Sequence, residues 1–103
     1  MYMQRVTIYP IPDNIAEVRT LLVERAKARQ AAGMQLALSE LVAGNDAPQF
    51  TVAVRFDDLA AFEASRKRDQ SDADFQKFVA RLTSLLRRSN AFDLAEVLVP
   101  MSS

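Results

Sequence analysis

Residues Phe50-Thr51-Val52-Ala53-Val54-Arg55-Phe56 alternate without a break. Phe50, Val52, Val54 and Phe56 fall on one side; Thr51, Ala53 and Arg55 fall on the other. A period of two, with large apolar residues confined to one side, predicts a strand with one buried face. Just upstream, Ala43-Gly44-Asn45-Asp46-Ala47-Pro48 is dense in turn residues. The run from Met34 to Val42 before it is a second strand candidate, so the two strands should form an antiparallel hairpin. The Met34–Val42 strand has two possible orientations: Leu36, Leu38 and Glu40 toward the core, or Ala37, Ser39 and Leu41.

Moving outward, Gln4 to Tyr9 alternates as well, with Val6 and Ile8 on one side and Arg5, Thr7 and Tyr9 on the other. Pro10 and Pro12 close it. Asn14 and Glu17 have the spacing of a helix capping box. Ile15, Val18, Leu21 and Leu22 follow at helical spacing, small alanines continue to Ala32, and Gly33 is a natural stop. After the hairpin, Asp57 and Asp58 can cap a helix carrying Leu59 and Phe62. A break is expected near Asp69-Gln70, with Ser71 and Asp74 capping a second segment. There Phe75, Phe78, Val79, Leu82, Leu85 and Leu86 make an amphipathic face, and Arg87 and Arg88 suit the last turn. Phe92 to Val99 reads as the last strand, ended by Pro100, with Ser102 and Ser103 expected to fray.

The order strand, helix, strand, strand, interrupted helix, strand over 103 residues predicts one α+β domain, residues 1–103. Its simplest form is a ferredoxin-like βαββαβ plait, a four-stranded antiparallel sheet with helices on one face. The first and third strands are then neighbours, so Arg5 and Arg55 share the open face. For the last strand, burial of Glu96 under the helices would be costly. That places Glu96 on the open face with Phe92, Leu94 and Leu98, and sends Ala95, Val97 and Val99 inward. An open face with Tyr9, Phe92 and several aliphatic groups would be too apolar to stay wet, and a second copy of the sheet would cover it.

Lys and Arg number 13 and Asp and Glu 13, a balance that argues against a nucleic-acid partner. The chain has no Cys and no His, which removes thiolate nucleophiles, imidazole bases, a Ser-His triad and Cys or His metal ligands. No signal segment or spanning helix is read, so a cytoplasmic protein without a membrane partner is expected. Asp72 and Asp74 could suggest a metal, but a helix start explains both, and no metal or cofactor is expected.

The opening Met1-Tyr2-Met3-Gln4-Arg5-Val6-Thr7-Ile8-Tyr9, the stretch Val54-Arg55-Phe56-Asp57-Asp58-Leu59-Ala60-Ala61-Phe62-Glu63 and Asp72-Ala73-Asp74-Phe75-Gln76-Lys77-Phe78 together resemble the dimeric α+β barrel superfamily. The resemblance is to its NIPSNAP-like and antibiotic-biosynthesis-monooxygenase-like branches. It implies a homodimer whose two sheets form a barrel, with a pocket between sheet and helices or inside the barrel. Relatives of this kind include cofactor-independent monooxygenases, haem-degrading enzymes, isomerases and proteins of no established activity. The chain lacks both Trp and His, which sets it apart from the haem-binding branches.

The candidate site is an apolar pocket with Arg5, Tyr9, Arg55 and Phe92 as substrate-binding residues and Tyr9, Arg55 and Glu96 as candidate catalytic groups. Arginine can orient a carboxylate or phenolate, tyrosine can donate to an oxyanion, and a desolvated glutamate can act as a base. The plainer reading has Arg5 and Arg55 paired with Glu40 or Glu96, and Tyr9 as a packed aromatic. Two function classes follow: a cofactor-independent monooxygenase or isomerase acting on a small apolar or aromatic molecule, and a non-catalytic homodimeric ligand- or partner-binding module.

Overall fold

The alternating run becomes β3 (Phe50–Phe56) of a computed structural model that describes residues 1–101. The remaining elements are β1 (Tyr2–Ile8), a 3-10 turn (Pro12–Asn14), α1 (Ile15–Ala31), β2 (Leu36–Glu40), α2 (Leu59–Ser71), α3 (Ala73–Thr83) and β4 (Ala91–Glu96). The sheet order is β2-β3-β1-β4, and every pair is antiparallel. This is the expected α+β plait. The expectation for Ser102 and Ser103 lies outside the described residues.

One face of the sheet carries the core. Ile8, Val18, Leu22, Phe50, Leu82 and Leu85 form one buried cluster, and Val54, Phe56 and Phe62 form a second. Leu36 and Leu38 pack against these clusters, which decides the orientation of β2: Glu40 shares their parity and meets α1. There Arg19 donates to both Glu40 oxygens, at 2.8 and 2.9 Å. These hydrogen bonds hold the Glu40 carboxyl below the ordinary glutamate range.

The orientation of β4 is the reverse of the expected one. Its register sets Phe92 opposite Val6, Leu94 opposite Gln4 and Glu96 opposite Tyr2, and residues directly opposite in a sheet share a face. Phe92 and Leu94 therefore face the helices, where Leu94 packs on the second cluster and Phe92 stands 6.4 Å from Phe62. Glu96 lies on this side without burial because it ends an edge strand in solvent. The open face instead carries Ala91, Asp93 and Ala95 beside Met3, Arg5 and Thr7, then Thr51, Ala53 and Arg55, then Ala37 and Ser39. Apart from Met3 it is a surface of small and polar residues, not the aromatic one expected.

Helix ends follow local chemistry with three corrections. The 3-10 turn feeds α1 directly: Ile15 N–H donates to the Pro12 carbonyl, and Asn14 makes no side-chain cap. Asn14 and Glu17 thus form no capping box, and Glu17 pairs with Arg81. The break between α2 and α3 falls at Asp72, whose Oδ1 accepts from Asp74 and Phe75 N–H at 3.0 and 3.1 Å. Ser71 instead turns its hydroxyl back to the Lys67 and Arg68 carbonyls. Arg87 and Arg88 lie beyond α3, bound to Asp46 of the β2–β3 loop. Two expected caps do form. Asp58 accepts from Ala61 N–H at 2.8 Å, and Gly33, at φ +95°, closes α1 in the left-handed region where a side chain would be strained.

Candidate functional site

Between the helices and the inner face of the sheet lies a cavity of about 160 Å³. Its walls are mainly apolar: Val6 and Ile8 of β1, Leu22 of α1, Val52 and Val54 of β3, and Phe75, Phe78, Val79 and Leu82 of α3. The polar groups gather from separate elements: Gln4, Arg25, Arg29, Ser65, Asp69 and Asn90. A shallower depression bordered by Arg66, Gln70, Gln76 and Phe92 shares Gln4, Asp69 and Phe75 with the cavity and continues it toward solvent.

Helical spacing explains how two arginines reach this space. Val18, Leu22, Arg25 and Arg29 succeed one another at intervals of four, three and four, so they lie along one face of α1. Phe62, Ser65 and Asp69 do the same on α2. Arg29 donates to both Asp69 oxygens, at 2.9 and 3.3 Å, and its guanidinium carbon stands 4.7 Å from the Phe75 ring centre. A fork-on-carboxylate pair of this kind satisfies both partners and ties α1 to the end of α2. Arg25 is placed differently. Its guanidinium lies against Phe75 and Phe78, 5.1 and 5.3 Å from the ring centres. Its nearest carboxylate oxygen, Asp72 Oδ2, is 3.9 Å away, too far for a hydrogen bond.

The charged residues on the wall are Arg25, Arg29 and Asp69. Asp72, 3.9 Å from Arg25 and just outside the wall, offsets the second cation without hydrogen-bonding to it. An apolar chamber with convergent donors at one end can hold a ring compound by burial and orient its polar substituent. Among the described residues, no group of three or more acidic side chains comes together as a metal site. Asp72, one of the pair considered for a metal, is committed to capping α3.

The residues singled out in the sequence lie elsewhere. Arg5 and Arg55 share the open face, as expected. Arg5 is engaged there by Asp93 at 3.0 and 3.3 Å, in place of Glu40 or Glu96; Arg55 stands exposed opposite Met3. Tyr9 sits just past β1, its ring centre 5.4 Å from the Arg87 guanidinium and 3.7 Å from that of Arg88. Glu96 is at the far edge of the sheet, and Phe92 borders only the outer depression. These five side chains converge on no common point. A signal for the missed residues was present: Gln4 alternates with Val6 and Ile8, and Arg25 and Arg29 continue the Val18–Leu22 stripe.

No family model matches the sequence, and no curated protein does. Solved structures do match. Rv0793 from Mycobacterium tuberculosis has 19% identity, covers 98% of both chains and superposes with a TM-score of 0.76. An uncharacterized NIPSNAP domain protein from Burkholderia xenovorans has 17% identity, covers 99% of this chain and 96% of its own, and scores 0.77. An antibiotic biosynthesis monooxygenase has 20% identity, covers 97% of this chain and 100% of its own, and scores 0.72. The chain thus has the fold of NIPSNAP-domain and antibiotic biosynthesis monooxygenase proteins over nearly its whole length. At these identities the likeness concerns fold alone.

Proposed function

We propose that this protein binds a small, largely apolar ring compound in the cavity between sheet and helices. The observation that carries this reading is an interior space of about 160 Å³ with aromatic and aliphatic walls and donors at one end. Cavities of roughly 150 Å³ with apolar walls accept benzene, so one ring matches the volume. The test is titration of the protein with toluene, followed by NMR of the methyl groups of Leu22, Val54 and Leu82. Saturable shifts at these positions are expected, and Ala26→Leu, a substitution on the cavity wall, should weaken them at least tenfold. Shifts spread over surface methyls, with no effect of Ala26→Leu, would refute the reading.

A catalytic version of this reading draws support from the shared fold with an antibiotic biosynthesis monooxygenase and from the two arginines on the cavity wall. A phenol or enolisable compound, once deprotonated, can itself supply electrons to oxygen, and cationic donors stabilise the resulting oxyanion. Oxygen uptake with a panel of hydroquinones and phenols tests it. No uptake above a protein-free control would leave the binding module.

The proposal includes a homodimer formed through the open sheet face. That face is uncovered, and its small residues (Ala37, Ala53, Ala91 and Ala95) permit close approach of a second sheet. Val42, Leu98, Val99 and Met101 are each at least 85% exposed, so additional apolar surface is available to a partner. Light scattering at micromolar concentration should give twice the mass of one chain. A single-chain mass would overturn this part of the reading.

A further inference from the structure

We propose that Arg25 anchors a carboxylate, so that the ligand of the cavity is a small aromatic acid. This deepens the binding reading above and rests on it. Arg25 Nε is buried and finds no hydrogen-bond acceptor among the described residues, the one buried side-chain polar atom of which that is true. Leaving a buried donor unmatched is unfavourable, more so on a charged group.

The chain shows elsewhere what this edge of a guanidinium does when it is matched. Arg5 meets Asp93, and Arg19 meets Glu40, each through Nε and Nη2 together on the two oxygens of one carboxylate. In Arg25 the same edge offers Nε with no acceptor and Nη2 at 3.9 Å from Asp72 Oδ2. Asp72 cannot easily close that gap, because its other oxygen holds the first turn of α3. Arg29, the other arginine of the wall, has its carboxylate already in Asp69. The Phe75 and Phe78 rings beside Arg25 both line the cavity. Cation–π contact with them holds the guanidinium in place without using its N–H groups. A small turn of the Arg25 side chain would expose its unmatched Nε to the cavity it lines, where a ring in the apolar chamber would bring a carboxylate to it.

The experiment compares benzoate, benzamide and toluene by calorimetry and by NMR at pH 7, using the full chain. Benzoate and benzamide share ring and shape and differ in charge. Benzoate should bind at least tenfold more tightly than benzamide, and it should shift the Arg25 Nε–H resonance; in Arg25→Gln the preference should vanish. Equal binding of benzoate and benzamide, with toluene still entering, would overturn the carboxylate anchor and leave the cavity reading intact. A tenfold preference that persists in Arg25→Gln would also overturn it, since another donor would then be responsible. If none of benzoate, benzamide and toluene binds, the cavity reading itself fails and this proposal with it. Should Arg25→Gln not fold, the wild-type preference together with the Nε–H shift decides.

Discussion

Neutralising Asp69 tests whether the polar end of the cavity also clamps the helices. Arg29 and Asp69 are joined by two hydrogen bonds of 2.9 and 3.3 Å, with side chains 20% and 29% exposed. Two charges at about 4 Å attract by roughly 4 kcal/mol at an effective dielectric constant of 20, but desolvation and side-chain ordering offset much of this. Fully exposed pairs retain about 0.2–1 kcal/mol, and hydrogen bonds to charged groups retain about 1.5–3 kcal/mol. With both partners mostly buried, the coupling in a cycle of Arg29→Gln, Asp69→Asn and the double variant should be about 1.5 kcal/mol. Asp69→Asn alone should cost about as much, because the amide keeps one acceptor for Arg29 but loses the charge and the second acceptor. That corresponds to a melting temperature lower by roughly 6–12 °C. Urea unfolding of the four proteins, at low salt and at 0.5 M salt, measures it. A coupling below about 0.3 kcal/mol would show that the pair is incidental and that packing alone holds α1 to α2.

Three further outcomes follow from particular residues. Leu82→Ala, at a position 4% exposed, should cost about 2–5 kcal/mol in urea unfolding and enlarge the cavity; a cost under about 1 kcal/mol would mean that α3 is not packed as described. Asp72→Ala should cost about 1 kcal/mol through loss of the α3 cap, whereas Ser71→Ala should stay within about 0.5 kcal/mol; the reverse ranking would return the cap to Ser71. For Glu40, whose folded pKa is depressed by Arg19, the stabilisation is present above the ordinary glutamate pKa and is lost as pH falls through the lower folded value. Stability of the wild type and Glu40→Gln should therefore converge in acid and separate toward neutral pH, and a constant gap from pH 2 to 7 would contradict the pairing.

Much of the architecture was readable because local rules and tertiary packing agree. The Phe50–Phe56 alternation, the left-handed stop at Gly33 and the Asp58 cap each depend on a few neighbouring residues. The Asn14–Glu17 box does not form because the 3-10 turn at Pro12 already gives the Asn14 N–H a backbone acceptor, the Ile11 carbonyl. β4 failed for a different reason. A charged residue marks the open face only where the helix side is closed to water, and at the end of an edge strand Glu96 reaches water from the helix side.

What the sequence determined by itself was the order of elements, the buried face of β1 and β3, and the chemistry excluded by lacking Cys and His. Those properties follow from spacing and composition, which do not depend on distant neighbours. The tertiary structure alone decided the orientation of β2 and β4 and the location of the candidate site. Strand register couples residues almost ninety positions apart, such as Arg5 and Asp93, and no local period encodes it. Gln4, Arg25 and Asp69 likewise come from three elements that meet only when the helices close over the sheet. Until then, Arg25 is one more cation on an amphipathic helix; after it, the guanidinium lies against two aromatic rings with a buried donor unmatched.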